Sequence, residues 1–501
     1  MRTSHPVKAS HPVRAFHRVS VTFRAPYGDR GALTWGQTAI WEVLRWLPPG
    51  DASLNLLAVC EVEPGRDVDD VLAAVRALVE RHDALHTLFP RDDGDGGKPV
   101  QVVLRSGELE VAVHETGTRN PVTVAAYAGA RLRDTPFDIG GELPLRVAVV
   151  TTGGVPVRVV LVVSHMAVDG WSLKIVCEDL RTLLSAPAAL GPAAEQPLGR
   201  LAYENSERAG LRERRAFDYW AEAVRELPRV WLEDLRQGGE ARQDWSEIRS
   251  RALSRAIRAL AARASVTPGT VLQATVALLL GLYKGEDDVA LRLIVSTRFK
   301  PETRRFVGAF NQNALLRLRL RQESFSGFLA HAGRAALAAY GTCEYDPVRL
   351  EELVARVTGE RGIGTDGYCF LNDIRFDAPA PPAGRRLSPA EYDALLDETE
   401  LVEPPHDTDQ KGATFFLYVH ELSERAVLTL CADRRFLGPK GPADFLLDLE
   451  WLAVEALRTD AGPLRLAEAL AARRSSPGPR GHGAGTGLPS TSARREKLSP
   501  P

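Results

Sequence analysis

Cysteine is scarce in this chain: Cys60, Cys177, Cys343, Cys369 and Cys431 are the only five among 501 residues. They are odd in number and widely spaced, with no Cys-x-x-Cys pair. That argues against a disulfide framework and against a zinc site. Each reads as a small core residue. Long apolar runs are missing too. The best candidates, Val155 to Val163 and Val271 to Leu282, have the length of buried strands or helices and fall short of a bilayer span. No sign of charge dominates: 63 basic against 65 acidic side chains leave a net charge of -2. The average charge therefore gives no reason to expect a nucleic-acid partner. The start, Met-Arg-Thr-Ser-His-Pro, lacks the apolar core of a secretory signal, so a cytoplasmic location and no membrane partner are expected.

What is present suits a globular protein: 44% hydrophobic and 26% charged residues, in a chain long enough for two packed units. Residues 1–19 are basic and contain a duplication, Ser4-His5-Pro6-Val7-Lys8-Ala9 then Ser10-His11-Pro12-Val13-Arg14-Ala15. Proline in each copy opposes helix, and the histidine spacing fits no metal geometry, so this end reads as a disordered tail. Residues 473–501 are rich in Ser, Pro, Gly and Arg, cannot offset their ordering entropy, and read as a second tail. An Ala/Pro-rich stretch from Ala186 to Gln196 is the candidate linker. The expected division is a first lobe at 20–185, a linker at 186–200 and a second lobe at 201–465.

Between these breaks strands alternate with helices. Asp67 caps a predicted helix whose Val68, Val71, Leu72, Val75, Leu78 and Val79 share one side. Leu143 to Val150 reads as a strand, and Val155 to Val163 as one covered on both faces. Ser172 is expected to open the next helix. In the second half, Thr267-Pro268 caps a helix ending near Gly285. Strands are expected at Val289 to Ser296, Ala314 to Leu320, Tyr368 to Phe376 and Thr414 to His420, with a closing helix at Phe445 to Leu457.

The most informative stretch is Leu161-Val162-Val163-Ser164-His165-Met166-Ala167-Val168-Asp169-Gly170-Trp171-Ser172. A buried strand runs into a histidine, a tight turn and a new helix. Histidine titrates near working pH, so His165 can take and return a proton. Asp169 can hold the loop or orient the ring, and Gly170 allows a close approach. The competing reading is a structural histidine beside a turn.

Further segments shift that balance. Thr34-Trp35-Gly36-Gln37 with Trp41, Arg81-His82-Asp83-Ala84-Leu85-His86-Thr87-Leu88-Phe89, and Pro136-Phe137-Asp138 with Leu143-Pro144-Leu145-Arg146 precede the histidine in order. Val266-Thr267-Pro268, Gly285 to Val289, Arg298 and Val307-Gly308-Ala309-Phe310 follow it. From about residue 20 to about residue 460 the chain resembles the condensation-domain superfamily of nonribosomal peptide synthesis and its acyltransferase relatives. The resemblance implies an α/β fold of two chloramphenicol acetyltransferase-like lobes, set as a V-shaped pseudo-dimer around a central tunnel. It implies no tightly bound cofactor and no metal. The acyl donor would arrive as a phosphopantetheine thioester on an acyl or peptidyl carrier protein, or as acyl-CoA, and meet a small-molecule amine or hydroxyl acceptor. His165 matches the catalytic histidine. Asp169 matches a structural aspartate paired with an arginine for which Arg298 fits, and Gly170 could face the oxyanion.

Two departures stand out. Ser164 replaces the first histidine of the usual double-histidine motif, which favours an atypical acyl transfer and assigns Ser164 no proton. Asn311-Gln312-Asn313 replaces the usual Val-Asn-Thr, so these amides are candidate tunnel residues. No carrier or adenylation segment is recognisable, so a freestanding acyltransferase acting on a carrier supplied in trans is expected, and one chain suffices as a monomer. The alternative is a catalytically degenerate scaffold that binds carrier proteins or tailoring enzymes.

Overall fold

A computed structural model of the chain describes residues 16–91, 97–232, 243–364, 368–375, 384–404 and 413–475. The first half contains β1 (Phe16–Arg24), β2 (Asp29–Gly31), α1 (Trp35–Trp46), β3 (Asn55–Glu61), α2 (Val68–Arg81), β4 (Thr87–Leu88) and β5 (Gln101–Val103). It continues through β6 (Ser106–Glu115), α3 (Pro121–Arg133), β7 (Leu145–Thr152), β8 (Val155–Ser164) and α4 (Gly170–Ser185). The second half begins with α5 (Pro197–Glu204), α6 (Glu207–Glu226), β9 (Gln243–Ser250), α7 (Arg251–Ala264), α8 (Pro268–Lys284), β10 (Asp288–Ser296) and β11 (Asn311–Arg319). It ends with α9 (Phe325–Tyr340), α10 (Pro347–Glu360), β12 (Tyr368–Asp373), α11 (Pro389–Asp397), β13 (Glu400–Val402), β14 (Ala413–Leu422), β15 (Ala426–Asp433), α12 (Arg434–Leu437), α13 (Gly441–Thr459) and α14 (Pro463–Ser475).

Each half builds its own large sheet, and β2-β5-β4 of the first half form a further three-stranded one. The first orders its strands β1-β6-β7-β8-β3, and the second orders its strands β11-β10-β12-β14-β15-β9-β13. The continuous apolar run of β8 is explained by cover on both faces. Val159, Leu161 and Val163 join the core under α2 and α4, while Val160 joins Ala148 and Val150 beneath Val124, Ala125 and Ala128 of α3. The second core gathers α7, α8, α9 and α13 over one face of its sheet. The α2 helix is closed at its start by the Asp67–Asp70 capping box, as the sequence predicts. Thr267 caps α8, with proline at the first position and Gly285 in the left-handed conformation at its end.

Several sequence expectations need correction. Residues 16–19, assigned to a tail, begin β1, paired in register with β6. Residues 197–200 of the expected linker belong to α5, where Arg200 is buried. Arg473 and Arg474, assigned to the second tail, close α14, and Arg474 Nε donates to Asp448 at 3.0 Å. The duplicated hexapeptide and residues 476–501 lie outside the described residues. Among the described residues, no single helix is long and apolar enough to cross a membrane. All five cysteines are buried thiols.

Candidate active site

The histidine loop is held from three sides. The Ser164 N–H donates to Pro144 O at 2.9 Å, and the His165 N–H donates to Leu54 O at 3.1 Å. The N–H groups of Ala167 and Val168 both donate back to Ser164 O. A tight turn therefore closes the end of β8 and aims the histidine away from the sheet. Ser164 is buried, and its Oγ accepts from the Met166 N–H at 3.4 Å, a brace within the loop.

The helix that follows starts earlier than Ser172. Asp169 is the N-cap: its Oδ1 accepts from the Ser172 N–H at 2.7 Å, so Gly170 is the first helical residue. Aspartate outcompetes serine here because its second oxygen has work on the other lobe. Oδ2 accepts from Arg298 Nη1 at 2.6 Å and from the Phe310 N–H at 3.1 Å. Both charged side chains are nearly sealed, at 3% and 6% exposure. The Asp169–Arg298 pair expected from the sequence therefore forms across the lobes.

Arg298 reaches further. Its Nε and Nη2 donate to Phe306 O at 3.1 and 3.0 Å, and Nη2 also donates to Ser172 Oγ at 2.5 Å. Ser172 Oγ donates to Gly308 O at 2.7 Å and accepts from the Gly308 N–H at 3.0 Å. The Asp169 N–H donates to Gly308 O at 3.2 Å. Segment 306–310 is thus pinned against the start of α4 by side chain and backbone together. Sequence reasoning missed Ser172 in this role, because a serine in a first helical turn looks like an ordinary cap.

A second cross-lobe cluster also went unread. Asp179 on α4 is buried and accepts from Arg81 Nε at 2.9 Å, with His82 Nε2 at 3.0 Å and Arg305 from the second lobe beside it. Burial pushes the Asp179 carboxyl up, but His82, Arg81 and Arg305 outweigh it and hold the group at about 2. Burial pushes His82 down, so a neutral imidazole and two guanidiniums surround an ionised carboxylate. The Arg-His-Asp segment is thereby structural. Its only advance signal was the sequence motif itself.

His165 is partly exposed, but its Nδ1 is enclosed and lacks a hydrogen-bond partner. Burial lowers its pKa below the ordinary histidine value of 6.5, while the Asp169 carboxylate and the carbonyls of His165 and Val168 pull it upward. Burial wins, so the ring is neutral at neutral pH and free to accept a proton. The Asp169 carboxylate accepts from Ser172, Arg298 and Phe310; it holds the loop and acts on the ring through its charge.

The three candidate amides do not act as one group. Asn311 opens β11, an edge strand, and side chains alternate along it. Gln312 turns to the opposite face from Asn311 and Asn313, is buried, and donates from Nε2 to Tyr345 O at 3.2 Å. Asn311 Oδ1 is enclosed without a partner. The expected strand from Ala314 begins three residues early, which places all three amides inside it.

Between the two halves lies a cavity of about 1090 Å³. Leu56 to Ala58 of the edge strand β3 and Gly170 and Lys174 of α4 line one side. The ends of the mutually parallel β10, β12 and β14 line the other. The cavity reaches Gly170; neither His165 nor the three amides form its lining. Gly170 sits where the first amides of a 16-residue helix carry partial positive charge. Among the described residues, no cluster of three or more His, Cys, Asp or Glu side chains could hold a metal ion.

Comparison with known proteins places this geometry. Residues 31–362 match the Condensation domain family. Over 346 residues the chain is 30% identical to phosphinothricin tripeptide synthetase PhsC of Streptomyces viridochromogenes, covering 66% of this chain and 31% of that protein. Over 388 residues it is 31% identical to AMB antimetabolite synthetase AmbB of Pseudomonas aeruginosa, covering 72% of this chain and 30% of that protein. The chain thus spans about a third of the length of these curated relatives. The solved structure of SgcC5 from Streptomyces globisporus superposes with a TM-score of 0.63 at 17% identity, covering 86% of this chain and 100% of that one. The first condensation domain of the calcium-dependent antibiotic synthetase gives 0.59 at 18% identity, covering 87% and 98%. Both share the mixed α/β, two-lobed fold.

Proposed function

Because the chain belongs to the condensation-domain family, we propose that it transfers an acyl or aminoacyl group from a thioester to an amine or hydroxyl, with His165 as the general base. The observation that carries this reading is the state of His165. It is a partly exposed imidazole, kept neutral by burial, on a loop locked by a cross-lobe ion pair. The acceptor's N–H or O–H gives its proton to His165 as the nucleophile attacks the thioester carbonyl carbon. The new C–N or C–O bond forms, the C–S bond breaks, and the proton passes to the departing thiolate. Base catalysis of this kind contributes on the order of 10²–10⁴-fold. Holding both substrates between the lobes contributes through proximity. The Gly170 amide, at the start of α4, is the proposed donor to the oxyanion. Asp169 and Arg298 are positioning residues.

The donor in this reading is a phosphopantetheine thioester on a carrier protein, or acyl-CoA, within a secondary-metabolite pathway. The relatives support that setting: they are synthetases of a phosphinothricin tripeptide and of an antimetabolite. S-acyl pantetheines offered with a panel of amines and alcohols test the chemistry through thiol release. Wild type should release thiol about 10²-fold or more faster than His165→Ala. Equal rates in the two proteins would overturn the assignment.

A further inference from the structure

On the second lobe, away from His165, a cavity of about 800 Å³ is lined by Arg251, Arg255, Arg258 and Arg385 against only Glu391 and Glu424 as acids. Three of the arginines follow one another at positions i, i+4 and i+7 of α7, so they stand on one side of that helix. They also rise from its first two turns, where the helix end carries partial positive charge.

Two of the four arginines carry carboxylate partners on the rim. Arg385 pairs with Glu391, and Arg251 pairs with Glu398 at 3.1 Å. Arg258 is 6% exposed and lies in the field of Glu424. Burial and the neighbouring Arg255 both lower its affinity for its proton, so the cluster is electrostatically strained towards an added anion. Arg255 has no carboxylate in ion-pair range among the described residues; its Nη2 donates to the Arg385 carbonyl at 2.8 Å. Its guanidinium is held by backbone. Gly384, at φ +69°, packs so close that a Cβ there would stand 2.7 Å from Arg255 Nη1. A guanidinium with no carboxylate partner among the described residues, held by a backbone carbonyl beside Gly384 in a cavity with more arginines than acids, is an arrangement suited to bidentate recognition of a phosphate.

The cavity also sits at the edge of the central cleft. His420 to Ser423 line that cleft, and the next residue, Glu424, lines the arginine cavity. Ser254 of α7 donates from Oγ to Ser423 O at 2.7 Å, joining the two walls.

We propose that Arg251, Arg255, Arg258 and Arg385 form a binding site for a phosphate ester, and that this is the phosphate borne by the thioester donor. The second clause rests on the acyl-transfer reading; the anion site does not. The phosphate could come from a carrier's phosphopantetheine arm or from coenzyme A, which share this chemistry.

The test is calorimetric titration of the full chain with inorganic pyrophosphate. Saturable binding is expected, weakened about tenfold or more by Arg255→Gln. Gly384→Val should weaken it similarly while leaving every charge in place. Arg321→Gln, which removes an exposed arginine paired with Asp287 elsewhere, should change nothing. Melting curves confirm that each variant is folded, and Arg255→Gln alone decides if Gly384→Val is not. No saturable binding, or equal weakening by Arg321→Gln, would overturn the site. Competition then identifies the source. Displacement of pyrophosphate by 4′-phosphopantetheine supports the carrier arm, and displacement by coenzyme A alone supports the free cofactor. Displacement by neither overturns the link to the donor. His165→Ala should bind pyrophosphate as wild type does, so a failure of the acyl-transfer reading and a failure of this one are read separately.

Discussion

At the scale of single residues, His165 and the Asp169–Arg298 pair have distinct tasks. The aspartate closes the helix start and anchors the opposite lobe, while the imidazole is left without a partner at Nδ1. Removing one side of a sealed ion pair strands the other. Arg298→Ala should therefore lower unfolding free energy by about 3–5 kcal/mol, measured by urea denaturation. The pH dependence follows from the direction of the His165 shift. A pKa below 6.5 keeps the base form present at lower pH than a free histidine would. The acid limb of the kcat/KM profile should therefore fall below pH 6.5, and a limb above it would contradict the assigned environment. His165 and Asp169 were legible in the sequence because strand, histidine, aspartate-glycine and helix follow without a gap, and Arg298 only through its place in the ordered family motifs. Ser172 and Asp179 were not, because their partners Gly308 and Arg305 lie more than a hundred residues away. No local pattern marks such a contact.

At the scale of elements, the strand and helix signals held where one rule dominated. The β8 run is apolar on both faces, and α2 and α8 carry their caps. Boundaries moved where two residues competed, as Asp169 over Ser172, or where polar residues continued a strand, as in β11. The first half of α5, residues 197–200, was hidden inside a stretch read as linker. Its Glu204 is buried and accepts from the Trp35 N–H of α1 at 3.0 Å. Burial raises its carboxyl to about 8, against the ordinary 4.5, despite that bond and the nearby Arg200. The folded chain therefore keeps a proton that the unfolded chain releases. The stability linked to that proton is full below 4.5 and is lost as pH rises through about 8. Wild type should lose urea resistance between about pH 4.5 and about pH 8, and Glu204→Gln should lose less over that range. Parallel loss in both would show that Glu204 is ionised throughout.

At the scale of the whole molecule, the two large sheets with separate cores meet along α4. There Asp169, Ser172 and Asp179 each take a partner from segment 298–310. This seam puts the histidine loop under the control of both lobes and leaves a cleft that reaches Gly170. The two-lobed fold was legible through its ordered motifs, whereas the arginine cavity was not. Arg385 meets the α7 arginines only in three dimensions, across more than a hundred residues of chain. The proposed role of His165 is acyl transfer in a biosynthetic pathway. The most direct measurement is the metabolite profile of the native host carrying His165→Ala, with the level of folded protein followed alongside. The mature product should disappear and an unacylated acceptor accumulate while the protein persists. An unchanged profile would contradict it and leave the chain as a scaffold.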